Sequence, residues 1–247
     1  MSIAHSSEAL GGLPVIGTDA ISSASTVAAR DQQTRTVSSL KEGTLAREEM
    51  ERLAQRVFLS ANGNSPRCVV FSGIDKSHSS AMVCARVGQA LAAKSYRRVC
   101  IVDSDCQTNH IRQFFEVGTL DQDRGPDCEE QVSYLQARTN LWIAGGSALG
   151  YREGLSPDYE KITSAIQELR REFDYVLINV TSAGSRCDAA LLGKAADGLI
   201  LVLKAGSTRR KAAQTVVDSI RAAEVMLLGA VLDDRTYPIP ASLYHRL

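Results

Sequence analysis

The sequence predicts an α/β fold with a mostly parallel central sheet and helices on both of its faces. Short runs of consecutive apolar residues alternate with longer segments of helical periodicity, and strands that are buried on both faces have this pattern. Hydrophobic residues make up 44% of the 247 residues, whereas aromatic residues make up only 5%. The core is therefore predicted to consist of aliphatic side chains, which suits parallel strands covered by helices.

The first 41 residues are predicted to form a disordered tail. They are rich in Ser, Ala, Thr and Gly, show no sustained periodicity, and contain almost no large apolar residue after Ile21. Such a segment buries too little apolar surface to offset the entropy that it would lose on ordering. The folded domain is therefore predicted to span residues 42–247.

An amphipathic helix is predicted to open the domain at 42–58. Its apolar residues recur at helical spacing, and charged residues fill the positions between them. The apolar positions are Leu45, Met50, Leu53, Val57 and Phe58. A turn is predicted at 62–66, because the sequence Asn-Gly-Asn-Ser-Pro breaks both helices and strands.

Strands and helices alternate after this turn. The predicted strands are the apolar runs at 68–71, 99–102, 140–144, 175–178, 198–203 and 227–232. The predicted helices lie between them at about 80–94, 158–172, 187–195 and 208–223. Parallel sheets bind ligands at the carboxyl ends of their strands. The residues that follow the first, second, fourth and fifth strands are therefore the candidates for a functional site.

Charge, cysteine spacing and hydropathy exclude several classes of protein. Lys+Arg and Asp+Glu are equal at 28 each, so the whole-chain charge does not favour a nucleic acid as a partner. No two of the six cysteines have the Cys-x-x-Cys spacing of a zinc or redox site. No apolar run is long enough to cross a bilayer, and the N-terminus lacks the regions of a signal peptide. We therefore predict a cytoplasmic protein that reaches the inner face of a membrane through a partner.

The loop after the first strand lies where a phosphate-binding loop belongs. Residues 72–80 read Ser-Gly-Ile-Asp-Lys-Ser-His-Ser-Ser. Phosphate loops use glycines to turn backbone N–H groups inward, a lysine to neutralise the phosphates, and a Ser or Thr hydroxyl to bind Mg²⁺. The candidate nucleotide-binding residues are Gly73, Lys76, His78, Ser79 and Ser80, and the Ser80 hydroxyl is the candidate magnesium ligand. The alternative is that these serines only cap a helix.

The position of the missing lysine depends on how the loop is counted. Counting from Ser72 puts Ser79 at the lysine position and Ser80 at the hydroxyl position. Counting back from the predicted helix places both positions one residue later. Lys76 is the nearest lysine, and its mobile side chain would have to reach the phosphates from an unusual position.

Carboxylates follow the second strand. Asp103 and Asp105 come directly after the apolar run and are predicted to project near the phosphate site. They are the candidate catalytic residues and magnesium ligands, because carboxylates in this position hold Mg²⁺ or accept a proton. Asn179 follows the fourth strand, where a second acid is expected. An amide neutralises no cation and cannot act as a base.

From about Glu48 onward the chain resembles the cytoplasmic kinase domain of bacterial polysaccharide-export tyrosine autokinases, which are deviant-Walker P-loop ATPases. The similar segments are Val-Asp-Ser-Asp at 102–105, the strand entry at 173–178, the stretch at 188–202, Thr-Arg-Arg at 208–210 and the run at 228–232. The helix motif Glu49-x-x-Arg52-x-x-Gln55 resembles the one that mediates ring assembly in the family. The resemblance implies a P-loop NTPase-like fold, ATP or ADP with Mg²⁺ as cofactor, and a homo-oligomer.

The chain also departs from the family pattern at the residues that carry the chemistry. The Gly-Lys pair is absent from the phosphate loop, the Walker B acid is Asn179, and the usual C-terminal tyrosine cluster is reduced to Tyr237 and Tyr244. The resemblance and these losses together imply a degenerate, pseudokinase-like protein that supports synthesis or export of a surface polysaccharide. Its partner would be a membrane co-polymerase or chain-length protein. The alternatives are an active atypical ATPase or tyrosine kinase of the same pathway, and a relative of the partitioning or positioning ATPases.

Overall fold

A computed structural model describes residues 15–19, 46–60, 65–74, 78–104, 110–118, 133–151, 158–180 and 189–235. The strands are β1 Val15–Asp19, β2 Cys68–Gly73, β3 Val99–Asp103, β4 Tyr134–Arg138, β5 Leu141–Gly145, β6 Tyr175–Val180, β7 Gly198–Lys204 and β8 Leu227–Arg235. The helices are α1 at 46–58, α2 Ser79–Ser95, α3 His110–Phe115, α4 Tyr159–Glu172, α5 Ala189–Ala195 and α6 Arg210–Ala222.

The eight strands form one sheet in the order β1-β8-β7-β2-β6-β3-β5-β4. All neighbours are parallel except β4 and β5, so the prediction of a mostly parallel sheet is confirmed. Short, continuously apolar strands can be buried in this way only when both faces are covered. The carboxyl ends of β2, β3, β6, β7 and β8 consequently lie along one edge of the sheet.

The core consists of two layers, one on each face of the sheet. On one face, Leu53 of α1 and Leu91 of α2 belong to the same buried cluster as Phe71 of β2. On the other face, Ile162 of α4 and Val217 of α6 belong to a cluster with the remaining inward-facing strand residues. The predicted covering of both faces by helices is therefore confirmed. Because side chains alternate across a strand, each strand contributes to both layers.

Two strands and a short helix were not predicted. β1 pairs in parallel with the outer edge of β8 and lies inside the segment that was predicted to be a disordered tail. Its sequence begins with two β-branched residues, and the unpaired edge of β8 offers it backbone hydrogen bonds. The rest of 1–41 and residues 42–45 lie outside the described residues. β4 has one buried residue, Ala137, so it has no continuous apolar run, and α3 is too short to show a period.

Asp197, between α5 and β7, connects three elements at the amino ends of the strands. One of its carboxylate oxygens accepts hydrogen bonds from the backbone N–H groups of Arg67 and Cys68, at 2.7 and 2.8 Å. The other forms an ion pair with Arg170 of α4, with 2.6 Å between nitrogen and oxygen. Burial alone would raise the pKa of Asp197, but these hydrogen bonds and the ion pair hold it below its usual value.

We expect Asp197→Asn to lower the free energy of unfolding by about 1–3 kcal/mol at neutral pH, because charge-assisted hydrogen bonds become neutral ones. A lowered folded-state pKa stabilises the fold above the unfolded-state pKa, and this stabilisation is lost as the pH falls through the folded-state pKa. In urea denaturation, the difference in free energy of unfolding between wild type and variant should therefore become smaller below about pH 4. Glu168→Gln, on the exposed face of α4, is the control. A difference in free energy of unfolding that did not change with pH would contradict the lowered pKa of Asp197 in the folded protein.

Candidate functional site

The buried polar side chains of the described residues gather at one place. They are Ser72, Ser79, Ser80, Asp103, Ser104, Asn179 and Asp233. Each of them lies at or next to the carboxyl end of a strand, or in the first turn of α2. Burying polar groups costs free energy unless they are used. This edge of the sheet is therefore the candidate functional site, as the sequence predicted, and none of these seven residues is basic.

The predicted phosphate loop connects β2 to α2. β2 ends at Gly73 and α2 begins at Ser79, so four residues separate Gly73 from His78. This spacing matches the first of the two possible registers, in which Ser79 takes the lysine position and Ser80 the hydroxyl position. Residues 75–77, which include Lys76, lie outside the described residues.

His78 precedes α2 as its N-cap residue but makes no capping hydrogen bond through its side chain. The imidazole is exposed and lies against the ring of His110, with 3.9 Å between the ring centroids. The first residue of α3 therefore lies next to His78, the residue that directly precedes α2. This contact could not be predicted from local sequence patterns, because the two histidines lie on separate elements, 32 residues apart in the chain.

Ser80 is fully buried, and its hydroxyl group has no hydrogen-bond partner among the described residues. The side-chain oxygen of Asn179 is likewise buried and without such a partner. A buried oxygen that makes no hydrogen bond costs free energy, and a cation or water molecule that binds there would remove this cost. These two oxygens are therefore candidate ligands for a cation or a water molecule.

Asp103 and Asn179 are directly linked across β3 and β6. The Asn179 side-chain amide donates a hydrogen bond to one carboxylate oxygen of Asp103 over 3.0 Å, and the two residues are register partners in the sheet. The hydroxyl of Ser104 donates to the backbone carbonyl of Asn179 over 2.6 Å. The parallel register of β3 and β6 thus makes Asn179, at the position where a second acid is expected, a hydrogen-bond partner of Asp103. Asp105 lies outside the described residues.

Asp233, at the carboxyl end of β8, was not among the predicted site residues. The residue is only 5% exposed, and one of its carboxylate oxygens is buried without a hydrogen-bond partner among the described residues. Burial raises the pKa of Asp233, which the hydrogen bond from Ser79 and the charge of Arg86 offset only in part. Asp233 directly follows an apolar strand, as Asp103 does, so the same rule would have found it.

The described residues fit a magnesium ion better than they fit nucleotide phosphates. The hydroxyl of Ser80, the carboxylate of Asp103 and the amide oxygen of Asn179 are oxygen ligands of the kind that Mg²⁺ prefers. A triphosphate needs positive charge, and none of the seven buried polar residues at this edge of the sheet is basic. The donor set therefore supports a cation site but not a conventional phosphate site.

Comparison with known proteins identifies one curated relative and several structures with the same fold. No family model matches the chain. The tyrosine-protein kinase CpsD of Streptococcus pneumoniae is 19% identical over 187 residues, which are 71% of this chain and 79% of CpsD.

Solved structures share the fold over most of the chain. The chimeric protein CapA2B2 has a TM-score of 0.67 at 14% identity and covers 92% of this chain and 96% of its own. The kinase domain of the Escherichia coli tyrosine kinase ETK has a TM-score of 0.55 at 14% identity, with coverages of 81% and 78%. The MinC:MinD cell division complex of Aquifex aeolicus reaches 0.52 at 15% identity, with coverages of 67% and 68%. These likenesses show a P-loop NTPase-like fold.

The similarity to CpsD is a similarity of sequence and is therefore independent of the shared fold. Together, the sequence similarity to CpsD and the shared fold support a relationship to the bacterial polysaccharide-export tyrosine autokinases.

Proposed function

We propose that this protein is a pseudokinase-like partner in the synthesis or export of a bacterial surface polysaccharide, such as a capsule, an exopolysaccharide or an adhesin. In this role the domain docks on a membrane co-polymerase, and its own phosphoryl transfer is weak or nil. Support for the pathway comes from the similarity to CpsD. Support for weak catalysis comes from the site, where Ser79 stands at the lysine position and Asn179 at the position of the second acid.

One observation carries the proposal further than these two replacements. Besides Asp103, a second buried carboxyl group, that of Asp233, lies at this edge of the sheet, and none of the seven buried polar residues there is basic. Phosphoryl transfer depends mainly on positive charge that stabilises the phosphates. A site that offers a carboxylate in place of an ammonium group is poorly suited to this chemistry, so a binding role explains the retained fold better than catalysis does.

A second candidate function is an active atypical ATPase or tyrosine kinase. The buried hydroxyl of Ser80, which lacks a hydrogen-bond partner among the described residues, favours it because such a hydroxyl can bind Mg²⁺. Lys76 would then replace the missing lysine, and Asp103 and Asp105 would bind the metal. ATP with Mg²⁺ would supply the phosphoryl group in that case. The third alternative, a partitioning ATPase, is less well supported, because the balanced charge of the chain does not favour DNA.

The co-polymerase would bring the protein to the inner face of the membrane. None of the helices in the described residues has both the length and the apolar character that crossing a bilayer requires. A cytoplasmic domain held by a membrane partner fits this finding. The exposed faces of α1 and α6 are the proposed contact surfaces, because Arg52 on α1 and Arg209 before α6 are exposed and charged.

Two substitutions in the site test the pseudokinase reading. If the site is not used for catalysis, Lys76→Ala and Asp103→Asn should each leave polysaccharide output within about twofold of wild type, since an essential catalytic group contributes several orders of magnitude. Output would be measured in a strain that lacks the chromosomal gene, with protein levels checked by immunoblot. An output that is lost in Lys76→Ala while the protein remains folded would overturn the pseudokinase reading and favour the active kinase.

A further inference from the structure

The two sides of the sheet are protected against further strand pairing in different ways. β4 forms one edge of the sheet, and its register with β5 is irregular between Gln136 and Arg138. Both of these side chains are exposed. A short edge strand with a charge and irregular pairing resists association with another chain, because it offers no regular row of free N–H and C=O groups. The β4 edge is therefore blunted by its own sequence.

β8, on the opposite side of the sheet, lacks these protective features over most of its length. It has nine residues and is longer than any other described strand. Residues 227–232 read Leu-Leu-Gly-Ala-Val-Leu, with no charged residue and no proline. A long apolar strand with a free edge is a template for pairing with a strand of another chain. β8 would therefore be the reactive edge of the sheet if nothing covered it.

β1 covers part of this edge with a strand that is itself blunt. Its backbone pairs in parallel with β8 between Ala230 and Arg235. β1 has only five residues, and its register with β8 shifts between Gly17 and Asp19. A short strand that contains a glycine, a carboxylate and an irregular register is poorly suited to extend the sheet further. β1 thus replaces an apolar edge by a blunt one.

The first part of β8 is not covered by β1. Among the described residues, the pairing with β1 begins at Ala230, so the outer side of residues 227–229 stays open. Leu227 and Leu228 are half-buried, and Met226, which directly precedes β8, is 65% exposed. Large apolar side chains beside a free strand edge are a surface that another strand can bury. The open part of the edge therefore offers a starting point for association.

A second β8 strand fits this edge. Two copies of one strand pair in an antiparallel manner about a two-fold axis, so that the same surface serves both partners. In such a pair the carboxyl end of each β8 lies beside the amino end of the other. Asp233 and Asp234 of the two copies would then lie at opposite ends of the contact, and no like charges would meet.

We propose that the outer edge of β8 is an interaction surface for a second copy of this chain, and that β1 is an internal strand that competes with the second copy for this edge. With β1 docked, the edge is closed to association. With β1 released, the β8 strands of two copies pair, and the sheet continues from one copy into the other. The inference is independent of the proposed pathway role, because it concerns the backbone edge of β8 and not the chemistry of the candidate site.

Two proline variants of the full chain test the proposal, and each is the matched control of the other. Adjacent residues of a strand direct their N–H groups to opposite sides, so only one of Val15 and Ile16 directs its N–H group at β8. Proline lacks this group and disrupts pairing there, whereas an edge strand tolerates proline where the N–H group faces solvent. One of Val15→Pro and Ile16→Pro should therefore release β1. Faster hydrogen exchange of the amides at 230–235, at low protein concentration, identifies the releasing variant.

Sedimentation velocity over a range of protein concentrations measures the association. The releasing variant should form a species of about twice the mass of the wild-type species at the same concentration, and its β8 amides should regain protection from exchange as this species forms. Urea denaturation verifies that both variants are folded. A releasing variant with the mass of the wild type at every concentration would overturn the proposal. Equal hydrogen exchange of the two proline variants would also overturn it, because β1 would then not be paired with β8.

Discussion

Reversing two charges at the start of α6, in the variant Arg209→Glu with Lys211→Glu, is expected to remove most polysaccharide output without destabilising the protein. Both side chains are exposed, and the first turn of α6 contains no acidic residue. The N-terminal partial charge of a helix is positive, so acidic residues there stabilise a helix by about 0.3–1 kcal/mol each and basic residues oppose it. Basic residues at this position therefore point to a binding role rather than to helix stability.

The expected loss follows from the proposed docking on a membrane co-polymerase. If α6 contacts the partner through these cations, charge reversal replaces attraction by repulsion and should weaken the complex about tenfold or more. Polysaccharide output and co-purification of the membrane partner measure the effect, and urea denaturation measures stability. Polysaccharide output and co-purification should fall, whereas the free energy of unfolding should stay the same or rise slightly. In a misfolded variant, all three would fall.

Lys161→Glu provides the control for this variant. Lys161 is exposed, lies in the first turn of α4, and forms a long ion pair with Asp158, at 3.9 Å. The control makes one such reversal of charge in the first turn of another helix. Normal output in the α6 variant, or an equal loss in the α4 control, would exclude the start of α6 as the docking surface.

The central strands could be predicted from sequence because their burial leaves a local pattern. β2, β3, β6 and β7 are buried along nearly their whole length, so each appears as a continuous apolar run. Edge strands leave no such pattern. β4 has a single buried residue, and β1 owes its pairing to the free edge of β8, which is more than 200 residues away in the chain. Its five residues therefore gave no sign of a strand within a polar tail.

The candidate site could be predicted as far as it depends on strand ends. Asp103 and Asn179 follow apolar runs, and the parallel sheet makes them neighbours. Asp233 also follows such a run, but whether it lies at the same site depends on where β8 is placed in the sheet. The order of strands in the sheet decides that placement, and local sequence patterns do not contain it. The register of the phosphate loop depends on the residue at which α2 begins, and local patterns predict helix ends only to within a few residues.

Truncation of Phe58 to alanine is expected to lower the free energy of unfolding by about 3–5 kcal/mol, the cost of removing a fully buried aromatic side chain. Phe58 is 1% exposed at the end of α1. Its ring meets the ring of Tyr175 edge to face, with 5.7 Å between the centroids, and it belongs to the same core layer as Phe71. The sequence placed the start of the domain at residue 42, and this variant measures whether α1 is an integral part of it.

Urea denaturation of Phe58→Ala should show a lower midpoint with an unchanged slope, since the loss is in stability rather than in the surface exposed on unfolding. Gln55→Ala, on the exposed side of the same helix, is the control and should change stability by no more than about 0.5 kcal/mol. A loss below about 1 kcal/mol in Phe58→Ala would mean that α1 is only loosely attached. A loss of about 3–5 kcal/mol would mean that the buried face of α1 is an integral part of the core. The opposite face of α1 carries the ion pair between Glu49 and Arg52, at 2.6 Å. Contacts between copies of the chain would then have to use that outer face.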